Sequence, residues 1–579
     1  MIPHEINKEI IRRGLQCTTP EEFLQLKQQV VSEHHSDPPS TAALRRAFVE
    51  MVSSGEIPPT KVLDNLLKKR AVRTQSGVAI ITALTKPFPC PGTCTYCPTE
   101  VRMPKSYIET EPAAQRALRF EFDPFAQVYG RLTMLAANGH PTDKVELIIK
   151  GGTWSAYTWH YQLWFIRRCF DACNAFGITD ETGDDHTIRT NHESGTFSFT
   201  DTPTLRTHAE IEKFVGEELV RLETAQVLNE KTGSRIIGLT LETRPDWIRP
   251  NTLWQLRMLG CTRVELGLQH TDNEILELVK RGHTIEQTAE AMRLLRHAGF
   301  KVDVHTMPQL PGTTPEKDYK MYEEIFERED LRPDMIKIYP CVVTPTAEIA
   351  EWHARGEYTP YALPLLQKML ADVKANLIPR YCRISRLIRD IPGNEIIAGN
   401  TVTNLREAIQ TQLHKEGRAC LCLRCREVGH VAKDIPEIAF EVDHLELFTE
   451  KYRASQGTEY FLSLEDTQRR AVFAFARLYI PDEAVDDQVK KLHELLPETK
   501  HTSFIRELHT YGFLVPVAAI ANASDQQHRG LGKRLMLAAE EIVRVSGRHS
   551  MTVISGVGVR GFYEKIGYVR AGTYMVKSV

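Results

Sequence analysis

The chain has 579 residues, a formal net charge of −3, 12 cysteines and 42% hydrophobic residues. That length predicts two to four domains, each with its own core. No apolar leader opens the sequence and no run of eighteen apolar residues crosses it, so a cytoplasmic protein with reduced cysteines is expected, not a secreted or membrane-spanning one. A near-neutral total does not announce a polyanion partner, which would have to be held by local cations.

Residues 1–75 read as helical and basic. Residues 5–15 and 20–31 place apolar side chains at three and four spacing. Arg12-Arg13, Arg45-Arg46 and Lys68-Lys69-Arg70 punctuate them as candidate phosphate contacts. An ordinary solvated helical face is the plain alternative.

Residues 76–375 alternate short apolar strands with amphipathic helices. The strands fall at 78–84, 145–150, 236–242, 263–268, 302–307 and 335–339. Six β-α units predict a parallel sheet rolled into a partial barrel, with chemistry at the C-terminal strand ends. Polar and glycine residues gather there: Gly151-Gly152-Thr153, Glu242 to Asp246, Glu265 to Gln269, His305 to Met307 and Lys337 to Tyr339.

Just past the first strand stand Cys90, Cys94 and Cys97, spaced C-x3-C-x2-C with Tyr96 before the last. Three thiolates suit a four-iron cluster whose fourth iron stays open to a chelating ligand. A structural zinc site would want a fourth ligand close by, and no Cys or His follows nearby. The spacing resembles that of radical S-adenosylmethionine (SAM) enzymes, in which glycines such as Gly151 and Gly152 pass close to the methionine. The polar stretch 179–206 reads as a surface loop without chemistry.

Residues 376–437 read as a linker. Cys420, Cys422 and Cys425 offer three sulfurs, and Cys382, His414 or His430 would complete a tetrahedral zinc staple. Arg380, Arg383, Arg386 and Arg389 recur every third residue, as an RNA-facing row or as a solvated arginine face. In residues 438–579, Gln527-x-x-Gly530-Leu531-Gly532-Lys533 precedes an amphipathic helix. Glycines there would admit a pyrophosphate to free helix N–H groups.

The order of that loop, its helix and Phe562-Tyr563 resembles GNAT acetyltransferases. The whole chain resembles the family of the Elongator catalytic subunit, a tRNA wobble-uridine carboxymethyltransferase joining a radical SAM barrel to a GNAT domain. The resemblance rests on the Cys90 loop, Lys144 through Thr153, Leu241-Glu-Thr-Arg-Pro-Asp246, Arg281-Gly-His-Thr284, Leu331-Arg-Pro-Asp334, Arg506-Glu-Leu-His509, Ile554-Ser-Gly-Val-Gly558 and Tyr574-Met-Val-Lys577.

It implies a partial (β/α)6 barrel joined through a metal-stapled linker to a GNAT-type α+β domain. It implies a [4Fe-4S] cluster, SAM and acetyl-CoA as cofactors and a tRNA anticodon stem-loop as partner, with other subunits not required. A carboxymethyl group would be installed at C5 of the wobble uridine. Lys144, Glu507, Leu508, His509, Thr510 and Leu531 to Lys533 match acetyl-CoA contacts, and Tyr563 would sit beside the coenzyme sulfur. Lys337 and Tyr339 would meet the uridine or the thioester. The cysteine spacing is shorter than in eukaryotic members, which implies a prokaryotic one. The competing reading is a protein lysine acetyltransferase with a structural cluster and Glu507 as base.

Overall fold

The computed structural model describes residues 3–68, 77–177, 208–511 and 530–579. Lys69, Arg70, the 179–206 stretch and Gln527 lie outside the described residues.

The first sheet has seven strands in the order β1 to β7: Ala79–Leu84, Lys144–Lys150, Arg235–Thr243, Arg263–Gln269, Lys301–Thr306, Met335–Ile338 and Arg383–Arg386. All neighbours pair in parallel. A strictly sequential parallel order requires a crossover after each strand, which puts the helices on one face and leaves the other as a lumen. The six expected strands are present. The seventh, β7, lies inside the stretch read as linker. Its four residues Arg-Ile-Ser-Arg carry one buried apolar side chain, Ile384, too little to register as a strand by pattern. β1 and β7 are not paired, so the barrel stays open along a seam, where Ile80 is 45% exposed.

The second sheet runs in the order β13-β14-β12-β11-β10-β9-β8. Its strands are β8 (Glu446–Arg453), β9 (Gly457–Glu465), β10 (Val472–Pro481), β11 (Ser503–Thr510), β12 (Ser550–Val553), β13 (Val569–Ala571) and β14 (Tyr574–Ser578). Among the described strands only β11 and β12 pair in parallel; the rest are antiparallel. Helix Leu531–Val545 covers it, burying Leu531, Leu535, Met536, Ala539 and Val543 at three and four spacing. Full burial of each larger apolar side chain contributes roughly 1.5–3 kcal/mol.

This second sheet caps the N-terminal end of the barrel. Arg506 of β11 donates to the Phe300 carbonyl at 2.6 Å and to Asp334 at 2.5 Å, both just ahead of barrel strands. Arg477 of β10 reaches the Tyr381 carbonyl at 2.7 Å. Gly556 makes the contact close: a Cβ there would lie 1.9 Å from the Ile237 carbonyl oxygen of β3. The two sheets share one hydrophobic core. The N-terminal helices, residues 3–67, pack around a separate one built from Ile10, Ile11, Phe23, Phe48 and Met51. No helix among the described residues is long and apolar enough to cross a membrane.

Candidate active site

Alternation along each strand turns every second residue into the lumen. Barrel interiors are usually filled by branched apolar layers. Here Glu146 and Lys150 of β2, Glu242 of β3, Arg263 and Glu265 of β4, Lys301, Asp303 and His305 of β5, and Lys337 of β6 line a cavity of about 470 Å³. Buried charges need partners, and these have them. Arg263 pairs with Glu146 at 2.6 Å. At the centre, fully buried Glu265 meets Lys150, Lys337 at 2.5 Å and His305 Nε2 at 3.0 Å. Lys150 also reaches Glu242 at 2.7 Å.

These contacts set the protonation states. Burial alone would raise the Glu265 carboxyl, yet Lys150 and Lys337 hold it well below the usual range. Burial pushes Lys337 down to about 8, with Glu265 opposing. Burial pushes the Tyr339 phenol up, and its ring meets His305 edge-on at 5.4 Å. The Glu242, Glu265 and His305 ligand atoms lie within 4.8 Å of one another. The Lys150 ammonium already bridges both carboxylates, so this trio is balanced without a metal.

Cys90, Cys94 and Cys97 line the same cavity beyond the C-terminal strand ends. The Gly92 N–H donates to Cys90 Sγ at 3.4 Å, and Arg281 reaches Cys94 Sγ at 3.6 Å. A hydrogen bond from Cys97 pulls the Cys94 thiol down to about 4 against burial, with Arg281 adding to it. Arg244 is held by Asp246 at 2.9 Å, while its buried Nη1 has no partner. Gly151 and Gly152 carry φ of +137° and +85°. A Cβ on Gly151 would fall 1.8 Å from Thr85 Oγ1, so only glycine leaves this edge open. Thiolates fed by N–H and guanidinium donors, an unsatisfied cation and bare backbone fit an anionic iron-sulfur cluster with an amino-acid ligand.

The opposite end of the cavity is closed by Glu507, Leu508, His509 and Tyr511 of the second sheet. Burial would raise Glu507, but Lys301 at 3.5 Å and Arg477 at 2.9 Å hold it down to about 2. A carboxyl so held is a poor base at neutral pH. Gly530, at φ +77°, opens helix Leu531–Val545, and a Cβ on Gly532 would lie 3.7 Å from Leu508 and 3.9 Å from Thr510. The β11 end and this helix start are therefore adjacent, while Lys533 is exposed. Tyr563 is buried between Phe562 and Tyr568, off the described cavity wall. Lys144 opens β2, half-buried and likewise off that wall.

The arginine row of the linker is only partly solvated, with Arg386 exposed and Arg380, Arg383 and Arg389 half-buried. Arg383 pairs with Glu427 at 2.7 Å, Arg386 with Asp390 at 2.5 Å and Arg389 with Glu111 at 2.8 Å, and all three line the cavity. Arg380 donates to the Arg469 carbonyl at 3.2 Å. Among the N-terminal cations, Arg12 pairs with Glu56, Arg13 with Glu33 at 2.7 Å, Arg45 with Asp64 at 2.7 Å and Lys68 with Asp64 at 3.6 Å. Arg46 is exposed.

In the linker, the Sγ atoms of Cys420, Cys422 and Cys425 lie within 4.8 Å of one another. None of the expected fourth ligands joins them at that distance. Cys382 contributes its carbonyl, accepting from the Leu423 N–H at 2.9 Å. His430 faces Glu427 at 3.6 Å, and His414 stays on helix Leu405–Lys415. Lys150, Asp303 and Arg281 were not among the expected site residues, although Lys150 and Asp303 lie on barrel strands and Arg281 opens the family motif Arg281-Gly-His-Thr284.

Two family models match: the radical SAM superfamily over residues 178–325 and the radical SAM C-terminal domain over residues 333–415. The tRNA uridine(34) acetyltransferase of Methanocaldococcus jannaschii is 40% identical over 524 residues, 89% of this chain and 87% of that protein. The chain belongs to the tRNA uridine(34) acetyltransferase family. The family extends to Elongator complex protein 3, whose human form is 34% identical over 543 residues, 90% of this chain and 88% of that one. A solved archaeal Elp3 from Methanocaldococcus infernus, deleted for residues 1–46, is 36% identical with a TM-score of 0.68, covering 87% of this chain and 100% of its own. A radical SAM member of this family is an enzyme that works with a [4Fe-4S] cluster and SAM. The C-terminal radical SAM match runs across β7, in keeping with a seven-stranded half-barrel.

Proposed function

We propose that this chain installs a carboxymethyl group at C5 of the wobble uridine of tRNA, drawn from acetyl-CoA. The observation that carries the reading is the single cavity bounded by Cys90, Cys94 and Cys97 at one end and by Glu507, Leu508 and His509 at the other. Chemistry begun at the sulfurs and a thioester held at the second sheet would share one enclosed space. The names of the relatives support tRNA uridine as the substrate.

Cys90, Cys94 and Cys97 would hold the cluster, which with SAM supplies one-electron chemistry strong enough to abstract hydrogen from an unactivated methyl group. The protein's part is to place and enclose the reactants. Gly151 and Gly152 leave room for the methionine, and Arg244 Nη1 offers a donor beside it. Gly530 and the free N–H groups opening helix Leu531–Val545 would cradle the coenzyme phosphates in a GNAT-type manner, with Leu508, Thr510 and Gly532 walling the pantetheine. Tyr563 would support that wall from behind. Lys337 and Tyr339 offer an ammonium and a phenol to the thioester or uridine oxygen in mid-lumen. Cys420, Cys422 and Cys425 would hold a structural metal ion.

The uridine must be splayed out of its loop to present C5. Arg386, its side chain 49% exposed, stands at the mouth with Arg46 as a further phosphate contact on the N-terminal helices. The deciding experiment is nucleoside mass spectrometry of tRNA incubated anaerobically with the enzyme, SAM, acetyl-CoA and a reductant. Carboxymethyluridine at position 34, lost in Cys94→Ala, is expected. Faster acetylation of a histone-like peptide than of tRNA would overturn the reading in favour of lysine acetylation.

A further inference from the structure

The loop carrying Cys420, Cys422 and Cys425 sits against two packed helices, Leu363–Asn376 and Leu405–Lys415. Cys425 Sγ lies 3.7 Å from Gln410 Oε1 on the second helix. Each helix also brings a cation to this spot. Lys374, on the first, is 0% exposed, and its Nζ has no hydrogen-bond partner. Arg406, one turn before Gln410, donates through Nη2 to the Ile384 carbonyl at 3.0 Å and leaves a buried Nη1 without a partner.

Two acids close by in sequence are engaged elsewhere, Asp372 with Arg418 at 2.9 Å and Glu427 with Arg383 at 2.7 Å, and Glu407 is exposed to solvent. Cys420 and Cys422 are buried on the loop whose Cys425 touches Gln410, one turn from Arg406 on the same helix. A buried ammonium without a counter-charge is strongly disfavoured. Three thiolates around a divalent ion carry one net negative charge and would supply that counter-charge.

We infer that Lys374 and Arg406 are the built-in counter-charges of an anionic metal–trithiolate unit on Cys420, Cys422 and Cys425. The ion is a single thiophilic divalent metal, and its fourth position is filled from solvent on the half-exposed Cys425 side instead of by Cys382, His414 or His430. This rests on reading the triplet as a metal site. It makes the two cations positioning residues, unfavourable in the metal-free chain and favourable in the loaded one.

The test uses the full chain with Cys90, Cys94 and Cys97 replaced by serine, so that only the linker triplet takes up added Zn²⁺. Lys374→Met keeps the length of the stem and removes the charge. It should raise the melting temperature of the metal-free chain, lower that of the zinc-loaded chain, and weaken zinc about tenfold or more against a chromophoric chelator. Lys374→Arg should restore the affinity. Arg406→Gln, half-buried and better tolerated, should weaken zinc in the same direction and covers the case in which Lys374→Met does not fold. Melting shifts of one sign in both states, or affinities within twofold of the parent, overturn the inference. If the parent binds no zinc that Cys422→Ser abolishes, the metal-site reading fails and the inference falls with it. Tight binding indifferent to both cations sinks the inference alone.

Discussion

Glu265 illustrates how a lumen can be charged and still stable. Its carboxylate is the hub for Lys150, Lys337 and His305, so removing it leaves buried Lys337 with only Asp303 at 3.9 Å and Lys150 with Glu242 alone. Glu265→Gln should therefore lower unfolding stability by about 3–5 kcal/mol, read from the midpoint of chemical denaturation. Lys337 is the group nearest its titration at working pH, pushed down to about 8 by burial. The ammonium that can donate to an oxygen is present below that value and disappears above it. Activity should thus fall as pH rises through about 8, and Lys337→Arg, which stays charged, should flatten that limb in a rate profile. Strand alternation exposes these side chains to the lumen in a legible way. Which of them touch is not legible, because Glu265 and Lys337 meet only when β4 and β6 are curled around β5.

At the scale of elements, the joint between barrel and second sheet depends on close approach and on ion pairs. Gly556 has no room for a methyl group against β3. Gly556→Ala should loosen the joint, lowering the melting temperature by several degrees and opening the two sheets to proteolysis (overpacking of this kind costs about 1–3 kcal/mol). Glu507 ties β11 to Lys301 of the barrel, and its value falls from 4.5 to about 2 on folding. A carboxyl depressed in the folded state stabilises above its unfolded value and loses that contribution as pH drops. About 3 kcal/mol should vanish between pH 4.5 and 2, and Glu507→Gln should remove this part of the acid sensitivity in pH-dependent denaturation. The glycine motif Ile554-Ser-Gly-Val-Gly558 stands out in the sequence as a family mark. Its physical reason appears only once Ile237 is seen pressed against it.

For the whole molecule, the proposed chemistry requires passage between the two ends of one cavity. Gly238 lies midway on β3 with its nearest atoms 3.7 Å from a Cβ, so a larger side chain there would project into the lumen. Gly238→Phe should leave iron content and SAM cleavage intact while cutting tRNA modification by roughly a hundredfold, a split of about 2.7 kcal/mol visible when both products are quantified together. Affinity for tRNA should fall by a decade or more as salt rises, for roughly a handful of phosphate contacts, read in a salt titration of binding. Sequence alone settled the local choices here. Strand and helix periods, the two cysteine triplets and the glycine turns all follow from side-chain spacing along a single element. It did not mark β7 as a strand, since its polar residues surround the single buried Ile384, and it could not show which acids the N-terminal cations meet, such as Glu33 for Arg13 and Asp64 for Arg45. Tertiary structure decided which charges cancel, that the capping sheet seals the barrel, and that both ends open into one space. Those outcomes depend on distances between residues far apart in the chain, which no local pattern encodes.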